Sequence, residues 1–221
     1  MKIIKPTFMV WENLTDPAVT GMIMRKLETI GRTCYKSEDN ITDESAARFV
    51  QNLIKHGHEA MLEHVSISVK FTVDRGVSHE LVRHRVASFA QESTRYCNYS
   101  KDKFGNELTF IEPCFWRQDY PSNTWHLIND WMMAMEKAEQ QYMSLLRSGA
   151  KPEEARSVLP NSLKTEIWMT CNLREWRHVL KLRAAGTTGK PHPQMAEIMI
   201  PLLKHFKAYL PEVFSDIEVP E

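Results

Sequence analysis

Nine residues, SISVKFTVD at Ser66–Asp74, alternate outward and inward side chains and are rich in β-branched types. That period puts one set of side chains on each face of an extended chain, so the segment demands a sheet with a covered face. LKTEIWMTC, ending at Cys171, makes the same demand, and LTFIEPCFW holds a further short strand. The opening KIIKPTFMVW reads as an edge strand in which Pro6 limits pairing.

Most of the remaining chain has helical grammar. Asp16-Pro17 supplies an N-cap and a first-turn proline for AVTGMIMRKLETIG. TDESAARFVQNLIKHG repeats the pattern, with Thr42 or Asp43 as cap and Gly57 as stop. VSHELVRHRVA is helical in character, and Ser122–Gly149 is the longest expected helix, capped by serine and closed by glycine. KPEEARSVLP forms a short helix, and NLREWRHVLKLRAA and HPQMAEIMIPLLKHFKAYL form two longer ones. Strands mixed with helices without regular βαβ alternation predict an α+β fold. No repeat or linker divides residues 1–221, so a single domain is expected.

Charge narrows the function. Lys plus Arg and Asp plus Glu each number 28, so no global field draws the chain to nucleic acid or to an anionic membrane. No apolar run approaches the roughly 20 residues that span a bilayer, and the start lacks the features of a signal peptide, so a cytoplasmic protein is expected. The four cysteines are scattered with no CxxC, as suits reduced thiols.

Three stretches invite chemical readings. In HGHEAMLEH, His58 and His64 are six residues apart rather than one helical turn, so the metalloprotease pattern fails and no metal site is expected. GTTGKPHP has neither the glycine spacing nor the Ser or Thr of a phosphate loop, and reads as a connection between helices. GxGxxG is missing, so a Rossmann dinucleotide site is not supported. RHRVASFAQESTRY, Arg83–Tyr96, is different. Arg83 and Arg85 flank His84 at the expected end of a helix, and Gln91, Ser93 and Arg95 follow within ten residues. Those donors suit a polyanionic ligand, although a solvated charged face would have the same content.

RHR, seven residues, then Ser93 matches the RHRx7S signature of the flavin-dependent thymidylate synthases, and the match runs on through STRY. KHGHEAMLEH, EEARSVLP and NLREWRHVLKLRA fall in that family's order, so the chain resembles it from about Thr33 to His192. The resemblance implies a mixed, largely antiparallel sheet flanked by helices, and a homotetramer with shared active sites. It implies conversion of dUMP to dTMP, with methylenetetrahydrofolate giving the carbon and NADPH reducing FAD.

Carried over by position, FAD would meet His58, Glu63, Arg83, His84, Arg85, Gln91, Asn172, Arg174, His178 and His192. The dUMP contacts would be Glu80, Arg83, Gln91, Glu92, Ser93, Thr94, Arg95, Arg156 and Arg183. Arg183 is the expected catalytic group, favouring ionisation of the pyrimidine at N3. Ser93 is expected to bind rather than attack, since no Ser-His-Asp spacing activates it.

The chain also departs from the pattern. Glu80 stands where many members have Gln, Gln91 where others have Glu, Ala60 where others have a hydroxyl, and His178 where others have an amide. AGTTGKPHPQ is longer than in compact members, which loosens the alignment of His192. Two other classes compete: a single-strand nucleic-acid module using Arg83, Arg85, Arg95, Phe89 and Tyr96, and a scaffold with Trp131, Met132 and Met135 as a partner surface. Zero net charge counts against the first.

Overall fold

The computed structural model describes residues 1–119 and 121–219. The chain opens with β1 (Lys2–Ile4) and β2 (Thr7–Val10), then α1 (Pro17–Thr33), α2 (Ser45–Lys55), β3 (Ser66–Asp74), α3 (Arg75–Leu81) and β4 (Ser88–Gln91). It continues through β5 (Thr109–Ile111), α4 (Ile128–Arg147), α5 (Pro152–Ala155), β6 (Lys164–Asn172), α6 (Leu173–Arg183), α7 (Pro193–Tyr209) and α8 (Pro211–Phe214). The α+β expectation holds. β1 pairs with β5 in parallel, and a four-stranded sheet has the order β2-β3-β6-β4.

β3 and β6 are antiparallel. Arg75 N–H reaches Leu163 O near one end (3.1 Å), Leu173 N–H reaches Val65 O at the other (2.9 Å), and Ser68 Oγ meets Thr170 Oγ1 (2.9 Å). The alternation read from the sequence is the burial pattern observed: Ile67, Val69, Phe71, Val73, Ile167 and Met169 are fully covered. Each strand ends in a residue that starts a helix. Asp74 Oδ1 accepts the Val77 N–H (2.8 Å) to open α3, and Asn172 Oδ1 accepts the Glu175 N–H (2.9 Å) to open α6.

Some boundaries differ from expectation. The opening edge strand is two strands split at Pro6, which has no N–H to give a ladder. α2 is not capped by Thr42 or Asp43; Ser45 Oγ accepts the Thr42 N–H (2.9 Å) and donates to the buried Glu28 (2.9 Å). α4 begins at Ile128 rather than Ser122, whose hydroxyl donates to Phe115 O (2.7 Å) instead of capping. α3 stops at Leu81, so Arg83–Arg85 lie beyond the helix, on the turn and loop leading into β4.

The chain forms two compact units. One comprises Met1–Thr7, Phe71–Arg83 and Phe89–Trp168. Its core packs Leu108, Phe110 and Leu163 against Trp131, Met135 and Tyr142, which lie along one stripe of α4. Trp131 and Met135 are thus interior and Met132 packs against them, which removes the scaffold-surface reading. The Met1 amine bridges Glu107 and Glu139 (3.1 and 3.2 Å), tying β1 to this core.

The other unit comprises Phe8–Lys70, His84–Ser88 and the chain from Met169. Here α1 packs on α2, α6 on α7, and α7 on α8, a short helix with no sequence expectation. Trp176 donates Nε1–H to Ile67 O (3.0 Å), and Trp176, Phe206 and Phe214 form an aromatic stack of edge and tilted contacts. Among the described residues no helix is long and apolar enough to cross a membrane.

Two glycines of α1 should respond oppositely to alanine. At Gly31 a Cβ would lie 2.7 Å from the Phe49 ring, whereas at exposed Gly21 it would meet nothing within 4 Å. Gly31→Ala should destabilise by about 1–3 kcal/mol. Gly21→Ala should stabilise by about 0.5–1 kcal/mol. Denaturant unfolding monitored by circular dichroism measures both.

Candidate functional site

In the first unit, the loop after β4 is held from within. Gln91 Nε2–H donates to Ser78 Oγ (2.9 Å) and Thr165 Oγ1 (3.2 Å), two fully buried hydroxyls. The Glu92 carboxylate accepts from Tyr99 OH (2.8 Å), Lys164 Nζ (2.8 Å) and the Glu166 N–H (3.2 Å). Burial, and then the Glu92 charge, raise the Tyr99 phenol's pKa, so it stays a donor. These bonds set the entry into a tight turn in which the Ser93 carbonyl accepts from the N–H groups of Tyr96 and Cys97.

The turn gathers several expected residues. Ser93 Oγ accepts the Arg95 N–H (3.2 Å), and the buried Thr94 hydroxyl accepts from Arg156 Nη1 (3.5 Å). Arg95 Nε–H donates to Glu153 (3.0 Å) and its guanidinium lies over Tyr96. Arg156, 62 residues from Thr94, thus reaches the loop. The Arg95–Glu153 pair is well exposed and worth at most about 1 kcal/mol, so an incoming anion can exchange for the carboxylate. Arg83 is exposed, with its N–H on Glu80 O (3.2 Å), and Glu80 itself is half-buried on α3.

In the second unit, a cavity of about 500 Å³ is lined by Glu63, Asn172, Arg174 and His178, four of the expected flavin contacts, together with Glu175 and Lys181. Glu59 and Val86 complete its wall. The Asn172 cap starts α6 beside the cavity, and helical spacing puts Arg174, Glu175, His178 and Lys181 along neighbouring positions. Arg174 Nη1 pairs with Glu63 Oε1 (2.5 Å) across a separation of 111 residues. His58 lies on a different cavity of the same unit, about 460 Å³, with Cys34, Tyr35, Ala60 and Met61. His192 caps the start of α7 without a side-chain bond to it, and Arg85 is exposed.

His84 is the electrostatic centre of this unit. It is 5% exposed; its Nε2 accepts from Arg183 Nε (3.2 Å), while Nδ1 lies 3.6 Å from Glu175 Oε1. Accepting at Nε2 places the ring's own proton on Nδ1, facing the carboxylate. Burial first, then the positive charge of Arg183 and the nearby His178, lower its pKa to about 4. The neutral ring therefore orients Arg183 without cancelling its charge. Burial raises the Glu175 carboxyl above its usual range, against a smaller lowering by His178.

His84, Glu175 and His178 also bring three donor atoms within 4.8 Å of one another. The Arg183 guanidinium on the far edge of His84 opposes a cation there, so no metal role is assigned. Glu175, Lys181, Tyr99, Lys164 and Glu59 were not singled out by the motif. The Glu175–His178 spacing was a readable helix-face signal; the others depend on long-range packing.

The family whose sequence model matches, over residues 21–212, is Thy1, thymidylate synthase complementing protein. A flavin-dependent thymidylate synthase of Corynebacterium efficiens is 31% identical over 202 residues, covering 87% of this chain and 79% of that protein. One from Mycolicibacterium gilvum is 32% identical over 204 residues with the same coverage, and one from Pyrococcus furiosus 32% over 171 residues, 72% of this chain and 66% of that one. Among solved structures, a UMP/dUMP methylase PolB from Streptomyces cacaoi bound with 5-Br dUMP superposes with a TM-score of 0.76. It is 21% identical, covering 97% of this chain and 96% of that one, a likeness of fold.

A folded-state pKa near 4, against about 6.5 unfolded, means the unfolded chain binds more protons between those values. His84 therefore contributes stability that is complete above pH 6.5 and falls as the pH drops toward 4. An NMR titration should place the His84 ring midpoint near 4, and His84→Asn should flatten the stability profile across that window.

Proposed function

The chain belongs to the flavin-dependent thymidylate synthases, the thymidylate synthase complementing protein family, and from that membership we propose that it methylates dUMP to dTMP with FAD, methylenetetrahydrofolate and NADPH. The observation that carries the flavin assignment is the convergence of Glu63, Asn172, Arg174 and His178 on one cavity. These residues come from two segments more than a hundred positions apart, and the family pattern had assigned all four to the flavin. The cavity fits such a group chemically: Arg174 and Lys181 suit its phosphates, and Val86 offers apolar surface. When bound, the flavin supplies the hydride chemistry. His58, His84, Arg85 and His192 are further proposed flavin contacts.

In the other unit, Ser93, Thr94, Arg95 and Arg156 are proposed to hold the dUMP phosphate. The hydroxyls and guanidinium groups already share one turn, and the Arg95–Glu153 pair is weak enough to yield to phosphate. Gln91 and Glu92 act on this turn through Ser78, Thr165, Tyr99 and Lys164, which fix its approach.

Arg183 is the proposed catalytic group. It cannot lose its proton, and its Nε is anchored on a neutral imidazole. A fixed cation in a half-buried setting favours the charge that develops when the pyrimidine ionises at N3. The homotetramer with shared active sites is proposed on the resemblance, and the cytoplasmic location and one functional domain over 1–221 on the reading of the sequence. The family match to residues 21–212, running through segments of both units, supports the last.

Purified protein should be yellow, with an oxidised-flavin spectrum that bleaches on adding NADPH; colourless protein that takes up no FAD and releases no tritium from labelled dUMP would sink the reading. Arg183→Ala should keep the flavin and lose methylation by at least about 100-fold, the scale of one removed electrostatic stabiliser. Arg85→Ala should weaken flavin retention instead. Normal turnover in both variants would refute these residue roles.

A further inference from the structure

Arg177 is a heavily bonded buried charge in the second unit. It is 2% exposed, and four of its N–H donors are engaged by three separate groups. Nε–H donates to Glu59 Oε1 (2.9 Å); Nη1 and Nη2 grip both Asp216 oxygens (2.7 Å each); Nη1 also bonds Val213 O. Two of these partners, Val213 and Asp216, lie beyond the 21–212 range of the family match. The turn that presents them is itself anchored, since Val213 and Phe214 are fully buried and Ile217 is 2% exposed.

Glu59 is the first residue of the 3-10 turn Glu59–His64, follows His58 directly and lines the 500 Å³ cavity. Lys181 Nζ approaches the same Glu59 oxygen (3.7 Å), so two cations hold it. Within the turn, Leu62 is fully buried and Glu63 pairs with Arg174. An arginine buried with no carboxylate partner would be costly, so Glu59 and Asp216 depend on each other through it.

We propose that Arg177 is a positioning residue: braced by the C-terminal turn through Asp216 and Val213, it fixes Glu59 and so sets the 59–64 turn that carries part of the flavin-binding wall. The flavin consequence rests on the function proposed above; the mechanical coupling between residues 59–64 and 213–217 does not.

The experiment uses the full chain and measures amide hydrogen exchange and FAD affinity for Glu59→Gln, Asp216→Asn, their double variant and Arg177→Lys. Asp216→Asn should speed exchange at 59–64, and Glu59→Gln should reciprocally speed it at 213–217, each by about tenfold. FAD should bind about tenfold more weakly in each single variant, and the two effects should not add in the double variant. Arg177→Lys, which keeps the charge but not the fork, should keep only part of the parent's affinity. The Glu59 side chain keeps 23% exposure and its isosteric amide leaves Asp216 on Arg177, so Glu59→Gln decides the matter even where Asp216→Asn does not fold. Unchanged exchange at 213–217 in Glu59→Gln, or additive losses in the double variant, overturns the proposal. A parent protein that binds no FAD refutes the flavin reading alone, and the exchange data still decide the coupling.

Discussion

The antiparallel pairing of β3 with β6 is the constraint on which the rest depends. Both strands are nine residues long, and both bury every second side chain. A slip of one residue would turn Ile67, Val69, Phe71 and Val73 outward, so the covered face fixes the register. Each strand then hands its last side chain to a helix as an N-cap: Asp74 starts α3 and Asn172 starts α6. α3 supplies Ser78 to Gln91, and α6 supplies Glu175, His178 and Arg183 to the environment of His84. Register and caps thus place the polar groups of both units.

In each unit, buried and half-buried charges are held among several partners. Glu92 is surrounded by three donors, Glu28 by Arg32 and Ser45, and Arg177 by two carboxylates and a carbonyl. His84 takes the other solution and stays neutral. That choice matters chemically, because a neutral acceptor orients the Arg183 guanidinium while leaving its charge to act elsewhere. The pairs Arg95–Glu153 and Arg174–Glu63 are exposed, so each contributes little to stability.

Much of this was readable from residues alone where the signal was local. The strand Ser66–Asp74, the Asp16-Pro17 helix start and the Asn172 helix start all depend on neighbours within four positions. The structure departs from local signals where a tertiary partner makes the stronger bond. Ser122 bonds Phe115 O rather than capping α4, Ser45 turns to Glu28, and α3 ends before the arginines instead of running into them. SFAQ at Ser88–Gln91, for which no strand was read from the sequence, forms one because β6 offers a pairing edge.

By itself, the sequence determined the longer strands and helices, the alternation that buries one sheet face, and the clustering of anion-binding side chains between Arg83 and Arg95. It also carried the family pattern, because the spacing of RHRx7S survives in one dimension. Only the tertiary structure decided which of these side chains meet. Arg183 finds His84 across 99 residues, Arg177 finds Glu59 across 118, and Glu92 finds Lys164 across 72. The physical reason is that a hydrogen bond is specified within about 3 Å, while sequence spacing fixes position only over the few residues of one turn or strand.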